Sequence, residues 1–162
     1  MEELVKTIAE ELLKKGITIG TAESCTAGLI GASLASISGA SKYYKGSIVS
    51  YATELKTKLL DVSENCIRDN DVVSAQVAQA MALGGLYKLD VDMCVAITGY
   101  AGETGGSEKS PRGTIWICSA KYDASRVDFK YRMLIVNESR GKNIEKCVKN
   151  ALEVVIEHLN RP

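Results

Sequence analysis

The chain has 162 residues, 46% of them hydrophobic, enough for one domain with a full core that needs neither disulfides nor a metal to hold it together. Twenty Lys and Arg balance twenty Asp and Glu, which excludes a strong overall field toward nucleic acid or an acidic membrane surface. The five cysteines (25, 66, 94, 118 and 147) are scattered, form no C-x-x-C and have one histidine for company. That pattern excludes a disulfide framework and a zinc site and suits a reducing compartment. Met1 leads straight into a charged amphipathic run, and no later segment approaches a membrane span. A soluble, cytoplasmic protein without nucleic-acid or membrane partners is expected.

In chain order, Leu4, Ile8 and Leu12 recur at helical spacing, with Val5 and Leu13 beside them, and Gly16 closes the segment as a C-cap. Ile17 to Thr21 reads as a short strand. Thr26 to Ser36, rich in Ala, Gly and Leu, reads as a helix packed closely on a sheet. Gly46 to Tyr51 forms a second strand, after which Thr53 is expected to cap a short helix carrying Leu55, Lys56, Leu59 and Leu60. Ser74 is expected to cap the next helix, and the apolar run Met93 to Thr98 has the character of a central strand buried on both faces.

A loop from Gly99 to Arg112 follows, with Gly99, Gly102, Gly105, Gly106 and Pro111 setting its backbone. Gly113 to Ala120 and Arg126 to Val136 alternate as an antiparallel hairpin, and Ile144 to Leu159 marks a long final helix. The fold class is α/β: a single three-layer α/β/α domain over residues 1–162, with a mixed central sheet and a C-terminal hairpin followed by a long helix.

Chemistry concentrates in Thr21-Ala22-Glu23-Ser24-Cys25-Thr26-Ala27-Gly28, where an apolar strand turns into a small-residue helix whose amide groups could hold an oxyanion or a phosphate. The usual base is missing. His158 falls near the end of the last helix, where it is expected to meet solvent and complement the dipole. If Ser24 reacts, a lysine or tyrosine must activate it. Position alone leaves other roles open: a helix N-cap for Ser24, a buried small hydrophobe for Cys25, a base, ring ligand or first-turn charge for Glu23. Lys56 and Lys58 have the default of solvated helix lysines, and Tyr51 that of packing. The glycine loop matches neither the Walker nor the Rossmann pattern. It follows a central strand, though, and ligands of open sheets collect outside the carboxyl ends of strands.

Taken together, these motifs resemble the C-terminal domain of the competence-damage-inducible CinA family, whose stand-alone members are nicotinamide mononucleotide deamidases of the PncC type. The resemblance runs from about Ile17 to the final helix. Ala22-Glu23-Ser24-Cys25-Thr26-Ala27-Gly28 is similar to A-E-S-C-T-G-G, with Ala27 in place of the first glycine. Ser50-Tyr51-Ala52-Thr53-Glu54-Leu55-Lys56 is similar to T-Y-S-N-E-A-K. Thr98-Gly99-Tyr100-Ala101-Gly102-Glu103, then Gly105-Gly106-Ser107 and Pro111-Arg112-Gly113-Thr114-Ile115-Trp116, is similar to T-G-I-A-G-P…G-G-T…P-V-G-T-V-W. Glu103 replaces a proline, and Ser139-Arg140 stands at the family's G-D-R without the second arginine that follows it.

The resemblance implies a Ser-Lys amidohydrolase: Ser24 the nucleophile, Lys56 the base, and Tyr51 a proton relay or ring contact. Glu23, Cys25, Thr26, Thr98, Gly99, Ala101, Gly102, Gly105, Gly106 and Arg140 are the implied substrate contacts. It implies a small nucleotide substrate, no cofactor and no metal, and a homodimer or higher homo-oligomer is the expected assembly. Longer family members carry an N-terminal pyrophosphatase-like domain, whose activity is not expected of these residues. Two other readings compete: a non-catalytic nucleotide- or partner-binding domain of the same fold, and a cysteine hydrolase using Cys25.

Overall fold

A computed structural model describes all residues, Met1–Pro162. Five strands form one mixed sheet: β1 (Ile19–Glu23), β2 (Tyr44–Val49), β3 (Met93–Gly99), β4 (Thr114–Asp123) and β5 (Arg126–Ile135), in the order β2-β1-β3-β4-β5. β1 runs parallel to both β2 and β3, whereas β4 and β5 are antiparallel. The helices are α1 (Glu2–Lys15), α2 (Leu29–Ala35), α3 (Thr53–Leu60), α4 (Glu64–Asn70), α5 (Ala75–Lys88) and α6 (Arg140–Leu159).

Alternation along the strands divides the interior in two. Ile19, Met93, Val95, Ile97, Ile115 and Ile117 face α1, α2 and α6, whereas Ala22, Cys94, Ala96, Cys118 and Ala120 face α5 and the residues around α3. The large residues lie on one face and the small ones on the other, so α5 lies close to its sheet. A Cβ on Gly85 would sit 2.5 Å from Cys94 Sγ, and one on Gly84 would sit 2.0 Å from the Leu60 carbonyl oxygen. Gly84 therefore fixes the distance between α5 and the end of α3.

The three layers, the mixed sheet, the hairpin and the long last helix agree with expectation, with differences at element ends. β1 starts two residues later than the alternation suggests and runs through Glu23, because pairing to β2 and β3 extends it. β2 occupies Tyr44–Val49 and stops before Tyr51. α2 starts at Leu29 rather than Thr26, with Gly28 (φ 98°) as its N-cap.

Ser24 is thus no helix cap. Thr53 is the first helical residue of α3, the N-cap is Ala52, and no side chain caps that helix. Ser74 does cap α5, its hydroxyl accepting from the Val77 amide at 3.2 Å. α4 went unread in the sequence. It is short, has no fully buried residue, and is announced only by Ser63, which accepts from the Cys66 amide.

The expectation for His158 is overturned. The ring is fully buried between α6 and the hairpin, with Nδ1 at 2.9 Å from Ser119 Oγ and Nε2 at 3.1 Å from Asp128 Oδ2. Burial outweighs the attraction of Asp128 and lowers its pKa, which keeps the ring neutral. No helix of the protein is long and apolar enough to cross a membrane.

Candidate active site

β1 and β3 leave the sheet side by side, and β2 ends on the other flank of β1. Their carboxyl ends open a cavity of about 290 Å³ whose walls include Ser24, Cys25, Tyr51, Lys56, Thr98, Gly99, Ala101, Gly102 and Arg140. This is the crevice at a switch of connection direction where open α/β sheets take ligands.

The turn carrying Ser24 is built around a buried carboxylate. Glu23 ends β1 with its side chain fully buried, and five donors converge on it. Oε1 accepts from Thr21 Oγ1 (2.8 Å) and the Gly31 amide (2.8 Å). Oε2 accepts from Thr26 Oγ1 (2.6 Å), the Gly28 amide (2.9 Å) and the Ile30 amide (3.1 Å). Glu23 thereby supplies the negative charge that the start of α2 favours. This corrects two expectations. Glu23 and Thr26 face inward, away from the cavity, and the first amides of α2 are occupied from within the protein. The donors left for an oxyanion are the Cys25 and Thr26 amides, which take no part in the backbone bonds of the turn.

With the turn fixed, Ser24 sits at the cavity wall, its amide bonded to the Ile97 carbonyl and the next strand end tied by Ser50 N–H to the Glu23 carbonyl at 2.8 Å. Ala27 holds φ 51°, a left-handed conformation without the freedom of the glycine found there in the motif.

Lys56 reaches this point from the first turns of α3. Although lysine on a short helix is normally solvated, its side chain is 1% exposed. Nζ lies 2.9 Å from Ser24 Oγ and 2.6 Å from the Ser50 carbonyl oxygen, both uncharged partners. Desolvation lowers its pKa to about 8, against a smaller upward pull from Cys25 and Glu54. Lys58, two residues on, is exposed.

Ser50 escaped the sequence reading as a site residue. Its carbonyl orients the lysine, and its own hydroxyl is buried without a hydrogen-bond partner. Nothing in its residue type distinguishes that carbonyl from any other.

Tyr51 is 56% exposed at the cavity mouth, and its hydroxyl accepts from Arg140 Nη2 at 2.9 Å rather than meeting Ser24 or Lys56. Arg140 opens α6, and its Nη1 lies close above Gly102. The Thr98 hydroxyl is committed to the Val72 carbonyl at 2.9 Å.

The glycine loop is braced from outside the cavity. Asp71, itself at φ 79°, accepts from the Tyr100 and Ser107 hydroxyls, and Ser110 Oγ donates to the Val73 carbonyl at 2.6 Å. Gly105 and Gly106 do not line the cavity. Gly106 (φ 97°) instead allows the loop to pass against Arg112, whose amide nitrogen a Cβ would approach to 2.4 Å. Glu103 faces a neighbouring surface cleft with Arg112 and Asn143, away from Ser24. Thr53, Val72, Val73, Tyr100 and Thr104 complete the walls, and none of them is among the substrate contacts that the sequence implies.

No group of three or more His, Cys, Asp or Glu stands where a metal ion could be held. The Ser119–His158–Asp128 chain resembles a triad in composition only. Ser119 is fully buried in the sheet, and the three residues border no part of this cavity.

The fold and the site define an α/β protein with a buried lysine-paired serine at the carboxyl edge of its sheet. The family model "CinA C-terminal domain" matches residues 1–159. A "CinA-like protein" of Thermosipho melanesiensis is 39% identical over 154 residues, 91% of this chain and 38% of that protein. Another from Prochlorococcus marinus (strain MIT 9301) is 47% identical over 116 residues, 72% of this chain and 27% of that protein.

Among solved structures, the competence/damage inducible protein CihA from Agrobacterium tumefaciens superposes with a TM-score of 0.89 at 33% identity, covering 99% of this chain and 95% of that one. A competence or damage-inducible protein from Enterobacter asburiae gives 0.92 at 27% identity, covering 98% of both chains. The chain belongs to the CinA C-terminal domain family. It spans less than two fifths of the length of the curated relatives it matches.

Proposed function

We propose that the protein hydrolyses the carboxamide of nicotinamide mononucleotide, releasing ammonia and nicotinate mononucleotide. The observation that supports this reading most is the pairing of Ser24 Oγ with a buried Lys56 Nζ at 2.9 Å, with no charged partner for the lysine. A lysine near pKa 8 is neutral in about a tenth of molecules at pH 7, enough to act as a base.

Neutral Lys56 takes the hydroxyl proton as Ser24 Oγ attacks the carboxamide carbon. The resulting oxyanion is received by the Cys25 and Thr26 amides. Lys56 then returns the proton to the departing nitrogen, which leaves as ammonia, and an ester to Ser24 remains. Water, deprotonated by the same lysine, attacks that ester, and Ser24 Oγ recovers its proton as the acid departs. The cationic pyridinium ring beside Lys56 favours the neutral amine while substrate is bound. Arg140, at the mouth and at the start of α6, would exchange its bond to the Tyr51 hydroxyl for the substrate phosphate.

The experiment is a comparison of ammonia release from nicotinamide mononucleotide and from nicotinamide by the wild type and Arg140→Ala. A strong preference for the nucleotide is expected, and the variant should raise KM more than it lowers kcat. Equal rates on both substrates would contradict the phosphate site.

A further inference from the structure

Two walls of the cavity meet at one strained residue. Asp71, at the link between α4 and α5, has φ 79° and ψ 150°, a region of backbone space that is essentially reserved for glycine. Both ends of the residue are pinned there. Its amide donates to the Ile67 carbonyl at 2.9 Å, and its own carbonyl accepts at 2.9 Å from the hydroxyl of Ser74, the residue that caps α5.

The side chain gathers the glycine loop. Oδ1 accepts from the Tyr100 hydroxyl at 3.0 Å and from the Val73 amide at 3.1 Å. Oδ2 accepts from the Ser107 hydroxyl, whose oxygen in turn receives the Ser110 amide at 3.0 Å. A single carboxylate thus ties both ends of the loop to the link.

Other bonds between the two segments run from loop side chains to link carbonyls: Thr98 Oγ1 to Val72, Ser110 Oγ to Val73 and Lys109 Nζ to Asp69. Asp71 is the side chain that reaches the other way. Val72 and Val73 on the link and Gly99 to Gly102 on the loop all line the cavity. Ser24 and Lys56 are held separately, by the Ile97 and Ser50 carbonyls, with no bond to Asp71.

We propose that Asp71 is a positioning residue for this cavity: its strained backbone is retained because it aims a carboxylate that holds the glycine loop in the shape that receives the part of the substrate remote from Ser24. The identity of that substrate rests on the proposed function. A loop already ordered needs no further ordering when ligand binds, so the carboxylate acts on affinity. Without it, binding must order the loop, while the Ser24–Lys56 pair stays as it is.

Asp71→Gly tests this, because glycine removes the carboxylate and the strain together, so stability and affinity should part company. The denaturant midpoint should be no lower than that of the wild type. Hydrogen exchange of amides between Tyr100 and Arg112, read by mass spectrometry on the free protein, should quicken roughly tenfold or more, with β1 and β3 unaltered. KM for nicotinamide mononucleotide should rise about fivefold or more, with kcat within about twofold of wild type.

Asp71→Asn keeps one acceptor oxygen and should hold KM within about threefold of wild type. Ser107→Ala removes one donor without touching the backbone at 71, and should also quicken exchange in the loop.

Unchanged exchange between Tyr100 and Arg112 in both Asp71→Gly and Ser107→Ala would overturn the proposal. So would a lowered midpoint with KM and kcat impaired together, the mark of a residue that only supports the fold. Hydrogen exchange decides this whether or not the protein releases ammonia; absence of ammonia from the wild type would instead count against the proposed function.

Discussion

At Lys56 the fold accepts an unfavourable burial in exchange for reactivity. With its pKa lowered to about 8 from near 10.4 in an unfolded chain, the folded state binds fewer protons than the unfolded state across that interval. Stability therefore rises with pH through the window from about 8 to 10.4, and the cost of burying the charge is fully present below it. Lys56→Met should be inactive, and its stability relative to wild type should fall steadily as pH rises through that window, measured by denaturant unfolding. A constant difference across the window would show that Lys56 keeps an ordinary pKa. The same shift sets the rate: kcat/KM should rise with pH to a plateau above about 8, and Lys56→Arg, which cannot lose its proton there, should lose at least a hundredfold.

Glu23 makes the opposite case, a charge that is buried and fully satisfied. Replacing it by Gln puts an NH2 group among five donors, so at least one hydrogen bond becomes a clash of donors. Glu23→Gln should cost about 3 kcal/mol of stability and most of the activity, because the turn that aims Ser24 loses its anchor. A variant as stable as wild type would mean that the carboxylate is not the organising group of the turn.

Ser24, Cys25 and Lys56 were legible in the sequence because their motifs are local strings. Glu23 was legible as important and misread in role, since only the converging amides of α2 reveal where its side chain points.

Among the elements, α3 and α5 set the lysine in place, and Gly84 is their point of contact. A methyl group there would lie 2.0 Å from the Leu60 carbonyl oxygen, which belongs to backbone and cannot swing away. Gly84→Ala should push α3 outward, destabilise the protein by about 2 kcal/mol despite the better helix propensity of alanine, and reduce kcat more than KM by moving Lys56 from Ser24. Unchanged kcat with lowered stability would separate helix packing from catalytic geometry.

α4 and the brace from Asp71 to the glycine loop were beyond sequence reasoning. A seven-residue helix without a buried face carries no periodicity, and the tie between Asp71 and Ser107 spans a contact of distant segments. Element boundaries shifted for a related reason. β1 extends to Glu23 because two neighbouring strands pair with it, an effect that the alternation of its own residues does not contain.

On the scale of the molecule, parallel pairing of β2 beside β1 brings residues 24 and 56 together. Val49 pairs with Glu23, so the chain leaves both strands at the same edge of the sheet, and α3 returns the lysine over that edge. The architecture was legible because helix and strand periods alternate cleanly along the chain. The burial of His158 was not, because it depends on how α6 docks on the β4–β5 hairpin, where Arg161 and His158 share Asp128.

The central claim is that this edge of the sheet is a serine–lysine amidase site acting on nicotinamide mononucleotide. Its most direct measurement is ammonia release from that nucleotide by the wild type and by Ser24→Ala, paired with calorimetric binding of the nucleotide to both. The account predicts turnover by the wild type, and for Ser24→Ala a loss of at least a thousandfold with binding retained. Binding without ammonia from the wild type, or turnover surviving in Ser24→Ala, would contradict it.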